Sequence, residues 1–352
     1  MTSLVQAPGH VIDLSHDPAE ALTGSTLLVA SGGGHLSQLH QLRPRLTGLG
    51  DVTWVTFDTP QARSLLAGER VVFVRYTAPR DMRAVLANTR TARRLLQTLQ
   101  PAHVVSTGSA IALSFLPLAS ATGASCHYIE SATRVVGPSA TGRLLSRIPR
   151  INLYNQHPNW EGPRWRYAGS VFDGWQATPA GTAPSRLRRA VVSLGTMQTY
   201  GFRRMVEALL RVLPKDVETL WQTGCTNVRG LPIDARPTVS ARELEGAMRE
   251  ADLVVTHAGT GSALTALEAG KLPILLPRTA TRGEHVDNHQ HQVAQELKRR
   301  GLAVTTDPDL LTETDLERAT TASVTRVDAP PPIRLVRIWA EPMANTTRSR
   351  TT

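Results

Sequence analysis

The sequence predicts an α/β chain of two doubly wound domains, each a parallel sheet covered by helices, facing one another across a cleft. Three observations predict it. From Thr26 onward, short apolar runs of buried-strand type alternate with amphipathic helical segments. The alternation breaks in a Pro-, Gly-, Ala- and Thr-rich stretch and then begins again. Several of the strands end in glycine and hydroxyl residues, at the sheet edge where such folds bind ligands.

Taken in order, residues 1–25 form an N-terminal extension. It includes Asp13, His16, Asp17 and Glu20 and lacks a basic start followed by an apolar core, so a signal peptide is not expected. The first domain is expected over 26–170. It opens with the strand "TLLVAS", the turn "GGG" and the helix "HLSQLHQLRPRL". The strands "VTWVTFD", "VVFVRY" and "HVVSTG" follow, with the helix "RDMRAVLANTRTARRLLQTLQ" before the last of them, and then "SCHYIES". Residues 171–188 read as a linker.

The second domain, 189–328, begins "AVVSLGT", then the helix "GFRRMVEALLRVL", "VETLWQTG" and the helix "ARELEGAMRE". "DLVVTHAG", the helix "GSALTALEAG", "LPILLP", the helix "HQHQVAQELKRRG" and "GLAVTTD" continue it, and "TETDLERATTASV" reads as an acidic helix. Residues 329–352 are a C-terminal segment, interrupted by "APPP", with a tail expected to fray.

Composition narrows the function. The 352 residues include 41% hydrophobic and 19% charged residues, a globular profile with enough chain for two cores. No apolar run reaches the roughly eighteen residues of a membrane span. The two cysteines, Cys126 and Cys225, form no CxxC pair, which suits a reducing cytoplasm. A net charge of +10 attracts phosphorylated small molecules, anionic membrane or nucleic acid. Aromatic residues at 5% give little for base stacking and no nucleic-acid signature occurs, so nucleic acid is not expected as a partner.

Two glycine turns carry the chemistry. "VASGGGHLSQ" is a strand, three glycines and a helix start, where free N–H groups and the helix dipole favour an anion. A dinucleotide fingerprint with Asp58 as ribose acid is a rival reading, but Ser37 stands where its third glycine belongs. His35 is either functional or an ordinary helix-start residue. "VVTHAGTGSALTALEAG" repeats the pattern: His257, Gly259, Thr260, Gly261 and Ser262 read as a diphosphate cradle without a P-loop lysine. Glu268, near the C-terminus of that helix, is either a ribose ligand or solvated. In "RGEHVDNHQHQVAQELKRRG", His285 and His289 stand one helical turn apart, leaving open a metal ladder, a grip on sugar hydroxyls or helix capping.

Together these segments resemble a known family. "SGGGHLSQL", "STGSAIALSFLPLA", "CHYIESATRV", "SLGTMQTYGF", "WQTG", "HAGTGSALTALEAGKLPILLPR" and "EHVDNHQHQVA" are similar to the inverting GT-B glycosyltransferases. Among these stand the bacterial lipid II-forming N-acetylglucosaminyltransferase and the two-subunit transferase that adds the second N-acetylglucosamine to dolichol diphosphate. Bacterial exopolysaccharide transferases of the same kind match too. The first half resembles the membrane-recruiting subunit of the two-subunit enzyme and the second half its nucleotide-sugar-binding subunit.

The resemblance implies a GT-B fold of two Rossmann-like domains and metal-independent transfer of a hexose or N-acetylhexosamine from a UDP-sugar. The acceptor would be a hydroxyl or phosphate, on a polyprenyl-diphosphate-linked glycan or on a soluble metabolite. It implies His35 as general base with Glu130 as the alternative, and Gly33, Gly34, Thr107 and Gly108 on the acceptor side. Ser193, Gly195, Thr196, Gln222, Thr223 and Gly224 would surround the nucleotide, His257 to Ser262 the diphosphate, and Asp287, His289 and Gln290 the donor sugar. In the family a ribose-binding glutamate stands where this chain has Thr265, with Glu268 as a substitute one turn on.

No metal and no cofactor is expected, with the UDP-sugar as co-substrate, and no DxD motif occurs. The basic segments around "RDMRAV" and "GRLLSRIPR" suit an anionic membrane, giving a cytoplasmic protein that is free or peripheral on the inner face. A nucleotide-sugar 2-epimerase and an inactive nucleotide-sugar-binding module remain the alternatives.

Overall fold

In a computed structural model of the chain, residues 4–7, 10–13, 24–78, 81–158, 160, 162–179, 186–195 and 199–335 are described. The N-terminal extension contributes an antiparallel hairpin of β1 (Leu4–Ala7) and β2 (His10–Asp13).

The first sheet holds β3 (Thr26–Ala30), β4 (Val52–Phe57), β5 (Val71–Val74), β6 (His103–Gly108), β7 (Ser125–Ile129), β8 (Ile151–Asn155) and β9 (Trp165–Tyr167). All pair in parallel, in the order β5-β4-β3-β6-β7-β8-β9. Its helices are α1 (Gly34–Leu42), α2 (Pro60–Leu65), α3 (Met82–Leu99), α4 (Ile111–Ala121) and α5 (Ala140–Leu145). β3 is buried along its whole length because helices cover both faces, which is why its sequence is a run of apolar residues rather than an alternation. α3 starts where Asp81 accepts the Ala84 N–H at 3.0 Å and stops at Gln100, which turns left-handed at φ 41°.

The chain then passes through β10 (Trp175–Pro179) into the second sheet of β11 (Arg189–Ser193), β12 (Glu218–Gln222), β13 (Ala235–Arg236), β14 (Leu253–Thr256), β15 (Ile274–Leu275) and β16 (Val304–Thr305). These too are parallel, ordered β13-β12-β11-β14-β15-β16. α6 (Arg203–Val212), α7 (Ala241–Glu250), α8 (Thr260–Glu268), α9 (His289–Arg299) and α10 (Glu313–Thr320) surround it, and β17 (Ala322–Arg326) follows.

Two segments differ from the sequence expectation. Residues 171–188, read as a linker, contain β10, and the end of the expected acidic helix 312–324 is instead β17; the two pair antiparallel from Trp175–Arg326 to Pro179–Ala322. Each strand is stabilised by a partner some 145 residues away, which no local pattern can show. Beyond β17, Ile333 and Leu335 return to the first domain's core, and the Ile333 N–H donates to the Arg45 carbonyl at 2.9 Å. The expected fraying tail lies outside the described residues. Among the described residues no helix is long and apolar enough to cross a membrane.

The two sheets share a core. Leu36, Leu39 and Leu42 of α1 cluster with Ala263, Leu264 and Leu267 of α8 and with Val293, Ala294 and Leu297 of α9. Burial of each leucine contributes about 1.5–3 kcal/mol to folding, and the same cluster takes in Leu28, Trp54 and Val105 of the first sheet. An ionic chain reinforces the seam: Arg300 at the end of α9 reaches Asp173 and Glu296 at 2.6 Å each, and Asp173 also meets Arg45 at 3.4 Å. Burial opposes ionisation of Glu296, but hydrogen bonds from Arg299 and Arg300 outweigh it and hold the carboxyl at about 2.

Candidate functional site

In each sheet the chain reverses direction of growth at one place, between β3 and β6 in the first and between β11 and β14 in the second. Strand ends splay there and leave a crevice, the usual ligand position in open α/β sheets. The helices leaving β3 and β14 are α1 and α8, and their first turns meet. A methyl group placed on Gly34 would lie 3.5 Å from the Gly261 nitrogen, and one on Gly261 would lie 3.5 Å from the Gly34 Cα. Neither helix has a side-chain cap. The first intrahelical bonds are Ser37 N–H to Gly33 O and Ala263 N–H to Gly259 O, so the N–H groups of Gly34, His35 and Leu36 and of Thr260, Gly261 and Ser262 have no partner within their helices. Each end carries roughly half a positive charge. Two such ends in contact repel unless an anion lies beside them. The Thr260 hydroxyl, 4% exposed and without a hydrogen-bond partner, adds an unsatisfied donor at the same place.

His35 stands in the first turn of α1, and its Nδ1 lies 2.7 Å from the Thr107 carbonyl. A carbonyl only accepts, so the proton is on Nδ1 and Nε2 keeps a free lone pair. The Thr107 hydroxyl donates back to the His35 carbonyl at 2.9 Å. Gly108, at φ 98°, makes room for the ring: a methyl there would sit 3.3 Å from its Cε1 and Nδ1. Burial lowers the His35 pKa, the bond to Thr107 opposes this, and Arg134 and His289 lower it further, so the imidazole is neutral near pH 7.

Glu130 is differently placed. It is 1% exposed and accepts four hydrogen bonds, from the Tyr128 hydroxyl and Ser131 N–H at 3.1 Å and from the Ser139 N–H and hydroxyl at 2.9 Å. Its second oxygen would lie 2.4 Å from a methyl on Gly142. The carboxylate ties the end of β7 to the start of α5, and every donor around it belongs to the protein.

In the second domain His257 is wedged between two glycines. A methyl on Gly195 would lie 2.5 Å from its Cε1, and one on Gly259 would lie 2.3 Å from its Nε2. Between His257 and Gly259, Ala258 turns left-handed at φ 50°, a conformation costing an L-residue about 1–2 kcal/mol. Nδ1 of His257 meets the Ser193 carbonyl at 3.2 Å, so here too Nε2 is an acceptor. Burial first and the Arg278 charge second depress its pKa to about 3. In this tautomer the ring itself offers no N–H at Nε2. The permanent positive charge nearby is Arg278, 1% exposed, whose guanidinium donates to the Leu194 carbonyl at 2.8 Å and lies 5.5 Å from the Phe202 ring centre.

The other expected nucleotide residues divide. The Ser193 hydroxyl accepts from Gln222 at 3.0 Å, and the Gln222 oxygen accepts the Val239 N–H at 3.2 Å, so Gln222 braces strand ends with both ends of its amide. Thr223 and Gly224 donate their N–H groups to Arg236 and Pro237 at 3.0 Å. Thr196 lies outside the described residues. The Thr265 hydroxyl donates to the Gly261 carbonyl at 3.0 Å. Glu268 faces the domain seam. It accepts from Gln41 and Arg326 at the domain seam, and eight residues of helix place it about 12 Å along α8 from Thr260. Asp58 is bound by Arg63 at 2.6 and 2.7 Å, which removes the ribose acid of the dinucleotide reading.

The histidine segment closes the site. α9 begins only at His289, so the helical ladder with His285 does not form. His289 Nδ1 donates to the Asp287 carboxylate, and the Gln290 oxygen accepts the Arg278 N–H at 3.1 Å. Across the cleft, Arg134 of the first domain reaches Asp287 at 3.7 Å. Arg134 and Arg278 are site residues that the sequence reading missed. Their one signal was an arginine just beyond an apolar strand, in "ATRV" and "LLPR".

Comparison with known proteins bears on the fold and on the second domain. Residues 190–326 match the model of the glycosyltransferase family 28 C-terminal domain. Over 68 residues the chain is 44% identical to the UDP-N-acetylglucosamine transferase subunit ALG13 of Yarrowia lipolytica, a match covering 19% of this chain and 33% of that protein. The chain thus spans about a third of the length of this curated relative. Among solved structures, MurG of Acinetobacter baumannii superposes with TM-score 0.52 at 18% identity, covering 84% of this chain and 89% of that one. The glycotransferase of kitacinnamycin does so with TM-score 0.52 at 18% identity, covering 86% and 90%. At such identities the likeness is one of fold. The chain therefore has a GT-B fold, and its residues 190–326 match the glycosyltransferase family 28 C-terminal domain.

Proposed function

We propose that the chain is an inverting, metal-independent glycosyltransferase that takes a hexose or N-acetylhexosamine from a UDP-sugar. The observation that carries this reading is the meeting of two uncapped helix N-termini at Gly34 and Gly261, with His35 on one of them. The nucleotide diphosphate lies against the first turn of α8, where N–H groups and the Thr260 hydroxyl bind oxygens and the buried Arg278 supplies a fixed positive field. His289 and Gln290 orient the sugar. His35 Nε2 takes the acceptor's proton as its oxygen attacks the anomeric carbon, and UDP leaves with the electron pair of the broken bond. One displacement inverts the centre. With both its oxygens held by four protein donors, Glu130 serves as a strut rather than the base.

The acceptor is lipid-linked in this reading. α3 exposes Met82 and Leu86 at 53% and 67%, and Leu86 lines a surface groove together with Arg83, Arg90 and Arg93. Apolar and basic groups on one helix suit an anionic membrane face, and the protein is then peripheral on its cytoplasmic side.

A 2-epimerase would need carboxylates for proton transfer, and Glu130 and Asp58 are both committed elsewhere. The test is UDP release from a panel of UDP-sugars with and without polyprenyl-diphosphate and soluble acceptors. Acceptor-dependent release is expected. An isomerised UDP-sugar formed without acceptor would overturn the reading, and binding without turnover across the panel would reduce the chain to a binding module. Replacing Arg83, Arg90 and Arg93 by Gln should lower partition onto anionic liposomes severalfold; unchanged partition removes the membrane from the scheme.

A further inference from the structure

Helical spacing offered only two ligands in the histidine segment, but its folded loop brings a third. Gly283 turns left-handed at φ 69° and ends a short 3-10 turn, so residues 284–288 loop back before α9 starts. His285, 5% exposed, then places Nδ1 3.3 Å from Asp287 Oδ1, and His289 Nδ1 meets the same oxygen. The two rings stand edge to face, centroids 4.7 Å apart at 82°. One ligand atom from each of the three residues lies within 4.8 Å of the other two, the only such grouping of three metal-ligating side chains among the described residues.

From this juxtaposition we propose that His285, Asp287 and His289 bind a divalent transition metal of the zinc type, and that the bound metal inhibits by occupying the donor-sugar grip. The second half rests on the sugar-grip reading given above; the metal site itself does not.

The chemistry and dimensions fit. Two imidazoles and one carboxylate select borderline ions such as Zn2+ and Co2+ over Mg2+ or Ca2+, which take oxygen ligands. Ligands about 2.05 Å from a tetrahedral ion stand about 3.3 Å apart, the separation already present between His285 and Asp287. Asp287 is 39% exposed on its side chain and its Oδ1 already holds His289 Nδ1, so an entering metal takes the place of that proton, which the neutral ring then carries on Nε2. One feature opposes the ion: Arg134 lies 3.7 Å from the other Asp287 oxygen, Oδ2.

The experiment uses the full chain and Co2+ as probe. Tetrahedral Co2+ should produce intense visible d–d bands that stoichiometric Zn2+ removes. His285→Gln and Asp287→Asn should each weaken Co2+ binding at least tenfold, with thermal unfolding confirming that both variants fold. Absence of tetrahedral bands in excess Co2+, or bands that persist in the double variant, would overturn the proposal. Zn2+ should also inhibit UDP release from the UDP-sugar, reversibly on adding a chelator. Metal binding that leaves turnover untouched keeps the metal site and counts against the sugar grip, whereas normal turnover with no metal binding does the reverse.

Discussion

Gly259→Ala tests the wedged imidazole, and its cost follows from the packing around the ring. The new methyl would lie 2.3 Å from His257 Nε2 and 2.8 Å from Cε1, more than an ångström inside ordinary contact. Gly259 has φ −76° and ψ 132°, which any residue adopts, so the backbone adds no strain. The ring has no room to retreat, because Gly195 closes the other side. Overpacking of this kind costs about 1–3 kcal/mol, and losing the Nδ1 bond to Ser193 adds about 0.5–1.5 kcal/mol. The total of about 2–4 kcal/mol should lower the unfolding midpoint of a chain of this length by roughly 3–5 °C. Gly195→Ala suffers a similar collision at φ 75° and should cost about 1–2 kcal/mol more. The assays are thermal unfolding and calorimetric titration with UDP. Adding His257→Ala to Gly259→Ala should recover stability, since the methyl then occupies part of the vacated volume, while UDP affinity stays low. A Gly259→Ala variant with the wild-type midpoint and UDP affinity would refute the wedge.

His35→Asn keeps a donor for the Thr107 carbonyl but removes Nε2. Turnover should fall by about 10²–10⁴-fold with the midpoint and UDP affinity nearly unchanged, and equal loss of binding and rate would show that His35 only shapes the site. Acid should destabilise the fold. His257 has a folded pKa of about 3 against 6.5 unfolded, so the unfolded chain binds more protons, and stability present above pH 6.5 is lost as pH falls toward 3. By pH 5 His257 alone accounts for about 2 kcal/mol, and His35, His157, His285 and His289, all lowered chiefly by burial, act in the same direction. Flat denaturant midpoints between pH 7 and 5 would contradict this. Glu268→Gln should leave UDP affinity within twofold while loosening the seam at Arg326; a tenfold loss of affinity would restore the ribose role.

Much was legible in the sequence because it is written locally. Apolar runs such as "TLLVA" and "LVVT" had to be buried strands, and the glycines after them had to open helices with unsatisfied N–H groups. The histidine at each turn marked both halves of the site. Other features lay beyond what a local pattern can carry. β10 and β17 stabilise one another over a long sequence distance. Glu130, Gln222 and Glu268 carry polar groups of the right kind, but a residue's type does not reveal whether its hydrogen bonds are already made.

The sequence by itself determined two parallel α/β sheets and the two glycine turns that leave their helix ends uncapped, because strand burial and backbone freedom are local properties. Only the tertiary structure decided that Gly34 meets Gly261, that Arg134 crosses to Asp287, and that His35 and His257 carry their protons on Nδ1. Those depend on which groups end up within about 3 Å of each other and away from water, and chain order does not encode that distance.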